Sequence, residues 1–243
     1  MSETNVRTAH GDLAPAARSR VRGLAWVVIV AHVVFVAAWL VAAAWQVPAY
    51  SAAAHSISDM YAYGAPHAAF LIVVTTACGV AGLLFVTLSL WPSLRAAGVS
   101  ARVGCALLAL SVLGVGDLLT PLERVACQRA DPECSATDQL ANLGGTLDNA
   151  ITSVGVVALV ASAFVIAAAM KRLPLWAAWA RPTRWYGLVL FLLFVATPLS
   201  DSSGLSGLFE RFVAAFAAAG VVALGVGVLR TTPRPTARLS AAG

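Results

Sequence analysis

The sequence predicts an all-α integral membrane protein, folded as a bundle of six transmembrane helices. Hydrophobic residues make up 60% of the 243-residue chain and charged residues only 11%, with a mean hydropathy of +0.83. Soluble domains carry about 25% charged residues. Apolar runs close to the roughly 20 residues needed to span a bilayer recur along the chain. No segment alternates polar and apolar residues over about ten positions, as a transmembrane β-strand would.

Six apolar segments are predicted as the membrane helices, and each is apolar around its whole circumference, as lipid contact requires. They are Gly23–Trp45, Ala68–Leu90, Val103–Leu119, Ile151–Met170, Arg184–Leu199 and Leu208–Leu229. The flanking segments 1–21 and 231–243 are rich in Ala, Pro, Arg and Ser, and are predicted to be disordered cytoplasmic tails. Residues 22–230 then form one transmembrane domain.

Basic residues are unevenly distributed over this topology. Thirteen of the 16 Lys and Arg residues fall in the two tails, the 2–3 loop and the 4–5 loop, whereas Arg124, Arg129 and Arg211 fall on the other side. The positive-inside rule therefore places both termini in the cytoplasm and the protein in the inner or plasma membrane. Anionic lipid headgroups explain the basic side, so the lipid bilayer is the expected partner and nucleic acid is not.

The loop between the first two helices contains the sequence HSISDMYAYGAPH. His55 and Asp59 lie four residues apart, on one face if the segment is helical. The aromatic and polar pattern of residues 50–63 predicts an amphipathic helix on the outer membrane surface. Gly64 would end that helix, and Pro66 suits the first turn of the next one.

Ionisable residues near membrane helices indicate function, because each costs roughly 2.5–3.5 kcal/mol at a helix centre. Here they gather at the outer helix ends, which suggests one polar, acidic rim that binds a small molecule, a lipid or an ion. The predicted rim consists of His55, Ser58, Asp59, His67, Asp117, Asp148, Asp201, Glu210 and Arg211. The alternative is that polar residues simply lie where helices meet water, and Asp148 suits the positive end of a helix dipole. His55, Asp59 and His67 are weak candidates for a metal site, but no metal or other cofactor is assigned.

The longest loop carries two cysteines, Cys127 and Cys134, around an Asp-Pro turn that would bring their sulfurs together. A disulfide is the predicted state on an outer face, because a zinc site would need a matching second pair. Cys78 and Cys105 lie inside helices and are predicted to be packing residues. His32 lies within the first helix, with no acid at its depth, and is predicted to hydrogen-bond to a neighbouring helix.

Two short motifs resemble a bacterial and archaeal membrane family called domain of unknown function 998. Its members show Y-S, I-S-[DE]-L and G-A-P after the first helix, and the matching residues here are Tyr50, Ser51, Ile57, Ser58, Asp59, Gly64, Ala65 and Pro66. The segment GLFERF, residues 207–212, resembles the family's G-L-x-[QE]-R, and the Cys127/Cys134 loop resembles its outer cysteine pair. The resemblance implies the same six helices over nearly the whole chain. Members often carry a histidine near the start of the fourth helix, where this chain has Asp148. The resemblance implies no substrate or reaction.

Three functions remain open from the sequence. The first is binding of a small molecule, lipid or ion at the acidic rim. The second is zinc-dependent intramembrane lipid hydrolysis of the alkaline ceramidase type, for which the chain offers Ser58, Asp59, His55, His67, Asp117 and Asp201. Transport ranks third, because Pro198 and Gly114–Gly116 lie near helix ends and predict no break at a membrane midplane. The sequence does not define the ligand, the oligomeric state or whether the protein is an enzyme.

Overall fold

The computed structural model describes residues 15–232, and for Pro15 and Asp201 only the backbone. Within that range the chain is helical with connecting loops and contains no strand. Most of the predicted tails, residues 1–14 and 233–243, lies outside the described residues. The first helix already begins at Pro15, so residues 15–21 are not part of a disordered tail, and Thr231 ends the last helix.

Eight helices form the framework of the described residues. They are α1 (Pro15–Ala43), α2 (Ala68–Ala97), α3 (Val99–Ala109), α4 (Val112–Leu119), α5 (Ala136–Gln139), α6 (Leu143–Met170), α7 (Ala177–Leu199) and α8 (Ser206–Thr231). Among the described residues, α1, α2, α6, α7 and α8 are each long and apolar enough to cross a membrane. Together α3 and α4 form a sixth candidate span, bent by 41°. The fold therefore has five or six candidate membrane spans.

The prediction of one continuous third helix over Val103–Leu119 is wrong. The helix begins at Val99 and breaks after Ala109, and Ser111 takes an extended backbone with ψ near 173°. The buried hydroxyl of Ser111 donates to the carbonyl of Leu108 at 2.7 Å, and its own carbonyl accepts from the amide nitrogens of Gly114 and Gly116. The break thus supplies its own hydrogen bonds, as backbone inside a membrane must.

Glycines on the two neighbouring helices make room for this break. A Cβ atom on Gly82 of α2 would lie 2.7 Å from the carbonyl oxygen of Leu113. A Cβ atom on Gly155 of α6 would lie 2.7 Å from the amide nitrogen of Val112. Real Cβ atoms are not found so close to backbone, so α4 packs between two faces that must be glycine at these points.

The spans close into a ring in which each packs against its neighbours. Going around, the order is α2, α1, α8, α7, α6 and the bent pair α3–α4, which returns to α2. The side chains that point out of the ring are apolar and exposed, with Val73, Val154 and Leu192 each more than half accessible. A bilayer would cover this surface, because a soluble protein of this size exposes no such continuous apolar belt.

The bundle has two chemically different ends. One end, called the polar end below, carries three connections, which are named by the membrane spans that they join. They are the loop between the first and second spans (the 1–2 loop, residues 44–67), the loop between the third and fourth spans (the 3–4 loop, residues 120–142) and the turn at 200–205. The other end carries Lys171 and Arg172 directly after α6, and Arg181 and Arg184 in the first turns of α7. The candidate site lies at the polar end.

The predicted amphipathic surface helix over residues 50–63 is wrong. Only Ser58–Tyr61 form a short 3₁₀ turn, and Asp59, Met60 and Tyr61 are buried in the end of the bundle. Pro66 does not start the next helix, because α2 begins at Ala68. Instead His67 precedes α2 with a positive φ of 52°. The loop is a folded plug and not a helix on the membrane surface.

Candidate functional site

Arg211 of α8 fastens the 1–2 loop to the bundle. Its buried guanidinium donates to the carbonyl oxygens of Ala52 at 2.8 Å and His55 at 2.7 Å, and to the hydroxyl of Tyr50. It also bonds the carbonyl of Gly207 within its own helix, at 2.9 Å. A planar fork of donors suits this bridging of several carbonyls. Arg211 is therefore a structural clamp, and not the exposed rim residue that the sequence suggested.

Gly207 and Glu210, from the same short motif, complete this contact. The backbone of His55 lies directly against Gly207, where a Cβ atom would come 2.7 Å from the His55 nitrogen. The Oε1 atom of Glu210 accepts from the amide nitrogen of Ile57 at 3.0 Å. The two sequence motifs, far apart in the chain, thus form one structural unit at the polar end.

Asp59 ties the 1–2 loop to the 3–4 loop. Its Oδ1 accepts from the backbone nitrogen of Arg129 at 3.0 Å and from the side-chain amide of Gln139 at 2.6 Å, while Oδ2 is buried without a hydrogen-bond partner. Its backbone carbonyl accepts from Gln128 at 3.0 Å. Burial raises the pKa of Asp59, and the two hydrogen bonds to its carboxyl partly counter that shift. Asp59 is thus a buried anchor between loops.

Arg124 holds the next turn of the same loop. Its guanidinium donates to the carbonyl oxygens of Tyr61 and Ala62, both at 3.0 Å, and lies 4.2 Å from the centre of the Tyr63 ring. Nearby, a disulfide joins Cys127 and Cys134 in the 3–4 loop. The basic groups of Arg124 and Arg211 are therefore both occupied by backbone carbonyls.

A cavity of about 350 Å³, called the loop chamber, lies beneath these loops. Its polar lining comes from the 1–2 loop, the 3–4 loop, α6 and α8, and includes Ser56, Ser58, Gln139, Asp148, Asn149, Thr152, Ser153 and Glu210. The hydroxyl of Tyr61, which also lines it, donates to Oδ1 of Asp148 at 3.3 Å. Burial, followed by the nearby carboxylates, raises the pKa of Tyr61 well above its usual value, so this hydroxyl stays a donor.

A second cavity of about 110 Å³, called the helix-break chamber, adjoins the first and reaches the break before α4. Three acidic and three hydroxyl side chains face it: Asp117, Glu123, Glu210, Thr75, Thr120 and Thr152. The lining has no Lys, Arg or His. Tyr61, Thr152 and Glu210 line both chambers and form their common wall.

The predicted rim residues therefore separate into three groups. Ser58, Asp148, Glu210 and Asp117 face the chambers, whereas Asp59 and Arg211 are buried in loop contacts. His55 accepts from the amide of Ser51 through Nδ1, and His67 packs edge-on against Trp45. The side chain of Asp201 lies outside the described residues, and its backbone forms a short turn.

The structure also places the weak metal candidates, Asp148 and His32. Among the described residues, no group of three His, Cys, Asp or Glu side chains is arranged to hold a metal ion, and His55, Asp59 and His67 have the separate contacts given above. Asp148, expected near the positive end of the helix dipole, lies beyond the first turn of α6, where Asn142 accepts from the amide of Gly145. His32 bonds the carbonyl of Val28 in its own helix at 2.9 Å, and not a neighbouring helix.

Glu123 was not among the site residues predicted from the sequence. Glu123 is just 4% exposed, and both burial and the negative charge of Asp148 raise its pKa to about 8. A signal was present, because Asp117, Thr120 and Glu123 follow each other at intervals of three residues across the end of α4. That spacing places all three side chains on one side of a helical turn.

Comparison with known proteins supports the resemblance found in the sequence. No curated protein and no solved structure matches the chain. Residues 29–227 match the model of a family described as a protein of unknown function, DUF998. This match begins within α1, ends within α8 and takes in both motifs, and the chain belongs to the DUF998 family.

Proposed function

We propose that this protein binds a small, positively charged organic molecule in the loop chamber, at the extracytoplasmic end of a plasma-membrane bundle. The observation that carries the proposal is a separation of charges at the polar end. Asp148 and Glu210 face the cavity, while the guanidinium groups of Arg124 and Arg211 point into loop backbone. The cavity thus has acceptors with no basic side chain among its lining residues.

Size and chemistry suit a small amine. Pockets for organic ligands measure about 300–1,000 Å³, so a chamber of about 350 Å³ fits only a small one. Carboxylates accept charge-assisted hydrogen bonds from an ammonium group, each worth about 1.5–3 kcal/mol. Ser58, Asn149 and Gln139 supply neutral partners, and the Tyr61 ring is a suitable wall for a cation.

The orientation is part of the same proposal. Positive charge concentrated at the opposite end supports a cytoplasmic location for that end. The Cys127–Cys134 disulfide supports an oxidising environment at the polar end. A fluorescent or protease-sensitive tag fused after Gly243 should be accessible only from the cytoplasmic side. Protection of that tag in intact cells combined with exposure of the 3–4 loop supports this orientation, and the reverse pattern rejects it.

Binding is tested with purified protein in nanodiscs, using choline and putrescine as probes and 3,3-dimethylbutanol as the neutral counterpart of choline. Isothermal titration should show saturable binding of at least one cation and none of the alcohol. Asp148→Asn should weaken that binding by about tenfold or more, because it removes a negative charge that attracts either cation and, for putrescine, the charged acceptor of an N–H group. Absence of binding of both cations to folded protein would reject the proposal.

Glu133→Gln is the matched control. Glu133 lies at the same end and is exposed, but does not line either chamber. This variant removes the same charge and should keep the affinity of the wild-type protein. An equal loss in both variants would mean that bulk surface charge, and not the chamber, attracts the cation.

Zinc-dependent hydrolysis is not favoured, because the described residues contain no metal-ligating group of three. A transport role gains one observation that the sequence did not offer, the broken span formed by α3 and α4. Broken helices often line the binding sites of transporters. Uptake of radiolabelled choline into proteoliposomes, compared with protein-free liposomes, tests this second candidate.

A further inference from the structure

The helix-break chamber presents an unresolved charge problem. Asp117 and Glu123 are 6% and 4% exposed, and both line the chamber. Asp117 Oδ2 and Glu123 Oε1 are buried without a hydrogen-bond partner in the described part of the chain. A buried acid without partners is costly and rare in native proteins. Two such acids facing one cavity need a positive charge or a proton between them.

The described side chains that line the chamber supply no such charge. The lining contains no Lys, Arg or His, and the guanidinium groups of Arg124 and Arg211 donate to loop carbonyls. Hydrogen bonds of Ser111 stabilise the break beside the chamber, and Gly79, Gly82 and Gly155 bring the neighbouring helices close to it. This is irregular backbone of the kind that membrane proteins keep only beside a cavity.

The remaining lining suits a hard cation. Hydroxyl groups of Thr75, Thr120 and Thr152 join the carboxylates around the cavity. Oxygen ligands of these kinds are the ones that alkali and alkaline-earth ions prefer. A volume of about 110 Å³ is too small for most organic ligands but holds an ion with a few waters.

We infer that the helix-break chamber binds one alkali cation between the carboxylates of Asp117 and Glu123.

The surrounding groups add negative charge and no positive charge around the proposed ion. On the elements packed around the chamber, the titratable side chains facing it are Asp117, Glu123, Glu210 and Tyr61, with Asp148 just beyond the common wall. The α1 and α2 helices contribute Phe35 and Thr75, which carry no charge.

This inference deepens the proposed function but can be separated from it. Thr152, Tyr61 and Glu210 belong to both chambers, so an ion below should alter the affinity of an amine above. Asp148 lines only the loop chamber, and Asp117 and Glu123 line only the helix-break chamber. Variants of these residues therefore test the two sites one at a time.

The experiment measures binding of radioactive Na⁺ to wild-type protein in nanodiscs by scintillation proximity. We expect saturable binding of about one ion per chain, displaced by unlabelled Na⁺.

Asp117→Asn and Glu123→Gln should each weaken Na⁺ binding by tenfold or more. Asp148→Asn should lose choline binding and keep Na⁺ binding. Folded wild-type protein without saturable Na⁺ binding would overturn the inference, as would undiminished binding in both Asp117→Asn and Glu123→Gln. Na⁺ binding without any choline or putrescine binding would reject the proposed function and leave this inference standing.

Discussion

The strongest structural prediction concerns Arg211, because one guanidinium bonds three groups of the 1–2 loop. We expect Arg211→Met to release residues 50–58 from α8 while the six spans stay folded. Methionine preserves much of the volume and removes every donor. The carbonyl oxygens of Ala52 and His55 accept from Arg211 alone among the hydrogen bonds of the described residues, so both would lose their partner.

The size of the effect follows from those two carbonyls. Leaving a buried acceptor unpaired costs about 1–3 kcal/mol, so the loop should lose about 2–6 kcal/mol. Whole proteins are stable by about 5–15 kcal/mol, and the helix contacts are untouched. The loop should therefore open locally before the bundle unfolds.

Hydrogen exchange followed by mass spectrometry, on protein in nanodiscs, measures this opening. A loss of 2 kcal/mol corresponds to exchange about thirtyfold faster in peptides covering residues 50–58. Arg211→Lys should fall between, because lysine keeps the charge but cannot bridge several carbonyls with one planar group. Arg184→Met, on the exposed surface of α7, is the control. Loop protection equal to the wild type in Arg211→Met would refute the clamp.

Three further predictions follow from other contacts. Gly155→Ala should lower the melting temperature in detergent, because the added Cβ would lie 2.7 Å from the Val112 nitrogen. Overpacking of this kind costs about 1–3 kcal/mol. An unchanged melting temperature would mean that α6 does not pack closely against the break. Burial raises the pKa of Glu123 from 4.5 to about 8, so the folded state holds one more proton than the unfolded state between those pH values. Thermal stability in Na⁺-free buffer should therefore fall as the pH rises from 4.5 to 8. The Glu123→Gln variant should flatten that profile. Reduction of Cys127–Cys134 should speed hydrogen exchange in the 3–4 loop and leave α7 unchanged, because the disulfide restricts only a short loop, and equal exchange before and after reduction would contradict this.

The membrane character of the fold follows from composition, and so do the approximate helix positions. Long apolar runs can only become helices in lipid, and their length then sets where each starts and stops. The boundaries moved where packing adds order that hydropathy does not encode. The first helix extends back to Pro15 through a segment with three arginines. The fifth predicted membrane helix, α7 in the structure, begins at Ala177 rather than Arg184. Charged residues continue a helix beyond the hydrocarbon when the neighbouring chain supports it.

The break before α4 could not be read from hydropathy, because it lies inside an apolar run. Its cause is a three-body contact in which Gly82 and Gly155 admit the backbone of Leu113 and Val112. The hydropathy averaged over one segment carries no information about contacts with other helices. The prediction of one continuous third helix was wrong for this reason.

The candidate site was predicted in part. Its acids were recognised as a group, since ionisable residues at helix ends are conspicuous in so apolar a chain. Their separate roles were not recognised, because Asp59, Arg211, Asp117 and Asp148 are all ionisable residues near helix ends in the sequence. What separates them is the partner that folding assigns to each, and those partners lie 70 or more positions away for Asp59 and more than 150 for Arg211.

Asp138 shows what an acid at the polar end looks like when its role is structural. It accepts from the amide and hydroxyl of Ser135, which start α5, and these bonds lower its pKa while it remains exposed. Asp117 and Glu123 differ from it, because both are buried, line a cavity and have one carboxylate oxygen without a hydrogen-bond partner among the described residues. Helix capping explains the first kind of acid and leaves the second unexplained. The cation proposed for the helix-break chamber would account for the second kind.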